Sequence, residues 1–169
     1  MPEPIWVLTE TVKAIHQRQL AEHGGGTGIR DEGLLESALA SPKNAYYFSK
    51  GLANIKSLAA SYAYAIAKNH PFVDGNKRVA FVVCMLFLKL NQHKVVASQE
   101  TLYAIFWELA AGNISQEELT QWLNSVEKKL NKGVNISALN SAWNVYWHFN
   151  GGFLKLHLDM FLDIYRNCV

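Results

Sequence analysis

From Val79 to Leu90 the chain reads V-A-F-V-V-C-M-L-F-L-K-L, apolar around nearly the whole circumference of a helix. Such a segment cannot lie on a surface. It predicts a central helix, ending near Asn91, that other elements cover on most of its faces. With 50% of its 169 residues hydrophobic and 18% charged, the chain has the composition of a soluble globular protein with one core.

The covering elements are legible as further helices. Val12, Ile15 and Leu20 recur on one side of a first helix, which Thr9 is placed to cap and which stops at His23. Gly24, Gly25, Gly26 and Gly28 then suit a turn or a mobile flap. Asp31 caps a short helix through Leu34, Leu35, Ala38 and Leu39 that Pro42 ends, and a loop carries Tyr46, Tyr47 and Phe48. A small-residue-rich helix follows from about Asn54 to Asn69 and is terminated by Pro71. Beyond the central segment, Ser98 starts a helix that Gly112-Asn113 ends. Ser115-Gln116-Glu117-Glu118 is a capping box that starts another, with Trp122 and Leu123 facing inward. The expected fold class is all-α. After Asn131 charges thin out and aromatics crowd in. Two alternating runs around Asn150-Gly151-Gly152 suit either a hairpin or a pair of short helices.

A net charge of +2 is too small for nucleic acid or an anionic membrane to be the main partner. No signal peptide is expected at Met1 to Leu8, and no apolar run reaches the length of a membrane span. Cys84 and Cys168 have neither a metal-like nor a redox-like spacing, and a reducing cytoplasm is the default location.

The chemistry is concentrated in H-P-F-V-D-G-N-K-R, His70 to Arg78, between the end of one predicted helix and the start of the next. A helix start presents N–H groups without internal partners, which together with the helix dipole favour an anion. Gly75 lets backbone approach a phosphate, Lys77 supplies a point charge and Arg78 a bidentate fork. Asp74 offers the hard oxygen that Mg²⁺ takes alongside a nucleotide's own oxygens, and Asn76 can orient either group. His70 can take a proton from an attacking hydroxyl, while Phe72 points inward and pins the loop. Each residue has a bland reading: a capped histidine, an Asp-Gly-Asn turn, a solvated Lys-Arg face. Those readings leave unexplained why all of these groups share one loop. His16, His23, His93, His148 and His157 have no ligand-like spacing.

The string H-P-F-V-D-G-N-K-R-V-A-F closely resembles the signature of the Fic/Doc superfamily, on its Doc branch of death-on-curing toxins. Ile15-His16-Gln17, the Gly24–Gly28 cluster, Gly28-Ile29-Arg30-Asp31, Gly33-Leu34-Leu35-Glu36-Ser37-Ala38 and the Ala-rich helix before His70 resemble it too, over roughly residues 6 to 126. The resemblance implies a compact helical bundle, with residues 1–130 as the catalytic domain and 131–169 as an apolar extension. Carried over, it implies His70 as general base, Asp74 as the acid serving catalysis and metal, and Gly75, Asn76, Lys77 and Arg78 as the nucleotide-contacting set. Gly24, Gly25, Gly26, Gly28 and Arg30 resemble the flap that aligns a protein target.

Lys77 stands where the adenylyl-transferring Fic branch typically has glycine. The resemblance therefore implies a growth-arresting kinase that moves the γ-phosphate of ATP, with Mg²⁺, to a Ser/Thr hydroxyl of a translation elongation factor. It also implies a bacterial cytoplasmic setting and a cognate antitoxin whose helix lies in a hydrophobic groove. The alternatives are AMP transfer to a protein hydroxyl and a non-catalytic, antitoxin-binding regulator. Gly133 to Val169 has no recognisable counterpart. So apolar a tail covers the body, a second copy or a partner.

Overall fold

The apolar segment lies at the centre of the molecule as helix α4, Asn76–Leu90. Its residues from Val82 to Leu88 are all buried, so almost no face of it meets water. The computed structural model describes residues 3–129. Around α4 stand α1 (Thr9–His23), α2 (Glu32–Phe48), α3 (Ile55–Asn69), α5 (Gln99–Ala111) and α6 (Gln116–Val126). Helix α3 packs between α2, α4 and α6, and α1 and α5 lie against α4. Ala59, Ala60, Ala63 and Ala67 make this possible: small side chains along α3 allow close approach from several directions. The chain belongs to the all-α class, as its periodicity predicts.

Several predicted boundaries are confirmed by their caps. Asp31 accepts from Leu34 N–H at 2.9 Å, Asn54 from Lys56 N–H at 2.8 Å and Ser98 from Thr101 N–H at 3.3 Å. Ser115 and Glu118 form the reciprocal capping box, at 3.1 and 2.7 Å. Leu123 is fully buried and Trp122 packs against the core.

Three expectations need correction. Thr9 does not cap α1; Leu8 occupies the cap position without a side-chain bond, and Thr9 is the first helical residue. Pro42 does not end α2, which runs through it to Phe48, so Tyr46, Tyr47 and Phe48 form its last turn rather than a loop. The ring of Pro42 is buried among the helices, and packing of α2 on α3 outweighs the lost backbone bond. A short antiparallel pair, β1 (His93–Val95) with β2 (Glu127–Lys129), was not anticipated; Val95 pairs with Glu127 and His93 with Lys129. The alternating runs around Asn150-Gly151-Gly152 and the extension 131–169 lie outside the described residues.

Candidate active site

The sequence from His70 to Arg78 forms the turn between α3 and the N-terminus of α4. Helix α3 ends because His70 takes up a left-handed conformation, φ 47° and ψ 56°, while its N–H still bonds Ile66 O at 3.2 Å. A non-glycine residue there costs about 1–2 kcal/mol, so neighbours must hold it. Arg30 does so: its Nε donates to His70 O and its Nη2 to Asn69 O, both at 2.8 Å. The guanidinium thereby caps the last carbonyls of α3, and the His70 side chain is left exposed to solvent.

Asn76 has a different task from the phosphate contact expected of it. Its side chain is buried, with Oδ1 accepting from Phe72 N–H and Nδ2 donating to Phe72 O, each at 2.9 Å. Both ends of the amide thus take part in closing the loop. Phe72 does point inward. It is 1% exposed and stacks on the ring of His16, with centroids 4.0 Å apart. His16 Nε2–H in turn donates to Asp74 O at 2.9 Å. Burial, and to a lesser degree the positive charge of Arg78, depresses the His16 pKa, while the bond to Asp74 O works against them. Neither the lack of metal spacing nor the Ile15-His16-Gln17 resemblance says what His16 bonds. The missed signal is that His16 and Gln19 fall in register with Val12 and Ile15 on the buried face of α1.

The flap is tied to the same loop from the other side. Ile29 and Phe72 form an antiparallel bridge in which Arg30 N–H donates to Pro71 O at 2.7 Å and Val73 N–H to Gly28 O at 3.1 Å. The glycines then fold over the acid: Gly26 N–H donates to Asp74 Oδ2 at 3.3 Å, and Gly75 N–H to Oδ1. These two bonds, with smaller help from Arg78 and His16, hold the Asp74 carboxyl below its usual range. Gly25 sits at φ +126°, and any Cβ there would run into Asp74 Oδ2. Glycine is required at this point because the flap backbone lies directly against the carboxylate.

Arg78 reaches from α4 back to the end of α1, donating to Gly24 O at 3.1 and 3.2 Å and to Gln19 O at 3.3 Å; its Nη2 stands 3.8 Å from Asp74 Oδ1. Lys77 turns the opposite way. Its ammonium lies 3.5 Å from the ring centroid of Trp107 and 5.2 Å from that of Tyr103, both on α5. Burial, then the charge of Arg78, lowers its pKa. Between these two cations, α4 begins at Gly75, φ +81°, with no side-chain cap. Val79 N–H is the first to bond back within this turn, to Gly75 O at 2.9 Å, so the N–H groups of Asn76, Lys77 and Arg78 are left for an anion. A cavity of about 740 Å³ opens between α1 and the flap, lined among others by Lys13, His16, Gln17, Gly25, Ile29 and Phe72.

The structure thus brings Gly24, Gly25, Gly26, Asp74, Gly75, Asn76 and Arg78 together at one helix start. Arg30 instead holds the end of α3 through the carbonyls of Asn69 and His70, and Lys77 is directed away from the helix start. Among the described residues no three His, Cys, Asp or Glu side chains converge as a metal cluster.

The model of the Fic/DOC family matches residues 6–88, from the N-terminal segment through most of α4. Toxin Doc of Mycolicibacterium smegmatis is 36% identical over 74 residues, 44% of this chain and 57% of that protein's length. Protein kinase doc of Escherichia phage P1 is 29% identical over 117 residues, 69% of this chain and 91% of that protein.

Proposed function

Because the chain belongs to the Fic/Doc family, we propose that it is the toxin of a toxin–antitoxin pair and transfers the γ-phosphate of ATP to a Ser/Thr hydroxyl of a protein, an elongation factor in the leading reading, in the bacterial cytoplasm. The observation that carries this is the convergence, on one loop, of an exposed histidine, a carboxylate of lowered pKa and an uncapped helix start flanked by Arg78. Phosphoryl transfer needs positioning and charge neutralisation, and this loop offers both.

In this reading the flap holds the target backbone and brings its hydroxyl to His70. His70 takes the hydroxyl proton as the new oxygen–phosphorus bond forms and the bond to the departing ADP breaks. The N–H groups of Asn76, Lys77 and Arg78 and the Arg78 guanidinium carry the charge of the transferred group. Asp74 fits a Mg²⁺ ion, because a lone hard carboxylate suits an ion whose other ligands are phosphate oxygens and water. Bound there, the ion would neutralise phosphate charge. Asp74 Oδ2 also accepts from Gly26 N–H, so the flap and the nucleotide site meet at this carboxylate.

A second reading, AMP transfer, draws support from Lys77. With its ammonium over Trp107, the lysine does not fill the space at the helix start that inner phosphates would need. The antitoxin is expected to place a helix in a hydrophobic groove of this domain. Inducible expression in a bacterium, with and without the His70→Ala change, tests the toxin reading. Growth arrest lost in the variant is the expected result, and a variant as inhibitory as the parent would overturn it.

A further inference from the structure

The His70–Arg78 loop lies at the Asn76 end of α4, and the Leu90 end, about 20 Å away along the helix, has a surface of another character. Ile5 and Leu8 are exposed there, and so are Tyr47, Phe48 and Leu52 from the last turn of α2 and the turn after it, at 60%, 88% and 82%. Hydrogen bonds tie the N-terminal segment into this end. The Tyr47 hydroxyl donates to Glu3 Oε1 at 2.9 Å, and Asn91 clasps the backbone of Ile5, accepting from its N–H at 2.8 Å and donating to its carbonyl at 3.1 Å. Trp6, next to Ile5, stacks on Phe87 and meets Tyr46 edge-on. So many large apolar side chains at one end of a small domain mark a surface that something covers.

The direction of β2 points to the occupant. It runs antiparallel to β1, with Val95 opposite Glu127 and His93 opposite Lys129, so moving forward along β2 is moving back along β1 toward Asn91 and the Ile5 that it clasps. Residue 130 therefore sets out at the edge of the apolar face. The sequence that follows has no Asp, Glu, Lys or Arg from Gly133 to Leu154 and is dense in Trp, Tyr, Phe and Leu. We propose that the extension, residues 131–169, docks on the face formed by Ile5, Leu8, Tyr47, Phe48 and Leu52 of its own chain. A segment tethered so near its site acts at a roughly millimolar effective concentration, an advantage that a second copy or a free partner lacks. Docking removes apolar surface from water on both sides, at the end of the bundle away from the flap and the His70–Arg78 loop.

Photocrosslinking of the full chain tests this. p-Benzoylphenylalanine, placed at Ile5 or at Phe48 where side chains lie outside the core, would be irradiated in dilute protein and its products mapped by mass spectrometry. The expected product, from at least one of the two positions, has the mass of a monomer and joins the probe to a peptide within 131–169. A product of dimer mass makes a second copy the occupant, and crosslinks confined to residues 3–129, or none at all, leave the face uncovered; each overturns the proposal. Hydrogen exchange supplies a second reading. A Phe48→Asp/Leu52→Asp protein should exchange on the order of 10-fold faster than the parent in peptides of 131–169, while Tyr103→Asp, on an equally exposed residue of α5, should not. Exchange unchanged in the double variant, or raised as much by Tyr103→Asp, overturns the assignment of the face.

Discussion

Under the proposed function Arg30 and Gly25 act on the chemistry through the residues they hold, His70 and Asp74. Arg30 spans two carbonyls with one planar fork and keeps His70 in a conformation it would not choose alone. Arg30→Ala is expected to reduce kcat on the order of 10- to 100-fold through misplacement of His70, and Arg30→Lys should not restore it, since a point charge cannot span both carbonyls. Steady-state kinetics on the purified variants would check this, with kcat falling more than KM rises. Gly25→Ala would push the flap off Asp74 and strain a residue at φ +126°. It should lower activity at least about 10-fold while shifting Tm by only a few degrees, because the flap is exposed. At this scale the identities are legible, since His70, Asp74 and Gly75 are read directly from the loop. Which partner each polar side chain takes is not. Asn76 and Lys77 carry chemistry-bearing groups, yet one amide closes the turn and one ammonium lies on an aromatic ring, and both depend on residues distant in sequence or on loop geometry.

The elements were legible where a cap or a glycine marks them. Asp31, Asn54, Ser98 and the Ser115–Glu118 box all perform as their sequence positions suggest. The end of α2 is not legible because Pro42 breaks a local rule whose cost of about 3 kcal/mol is offset only by packing that no local window contains. The β1–β2 pair joins residues more than thirty positions apart, and no hairpin turn announces it. The joint between α3 and α4 depends on Asn76. Asn76→Ala would leave the N–H and C=O of Phe72 buried without partners, which should destabilise the protein by about 2–4 kcal/mol. Urea denaturation would show a lower midpoint with an unchanged m-value; a midpoint equal to the parent's would contradict the role given to this amide.

Across the whole molecule, the flap, α1 and the loop are coupled by two groups that titrate. The pKa values of His16 and Asp74 are both lowered in the fold from their ordinary values of 6.5 and 3.8. The stability each contributes is therefore complete above its ordinary pKa and is lost as pH falls through the folded value. Tm should hold near neutrality, decline once pH passes below about 6.5 as His16 resists protonation, and decline again in the carboxylate range. His16→Gln should remove the first decline and leave the second, as a pH series of thermal melts would show.

Under the proposed function all of these connections serve one reaction, and the phosphorus atom that moves would be its signature. The purified protein and its His70→Ala variant would be incubated with bacterial extract and Mg-ATP labelled at either the α- or the γ-phosphate. Label passing to protein from the γ-position alone, reduced about 10²- to 10⁴-fold in the variant, is the predicted result. Transfer from the α-position, or γ-transfer that survives the loss of His70, would contradict it.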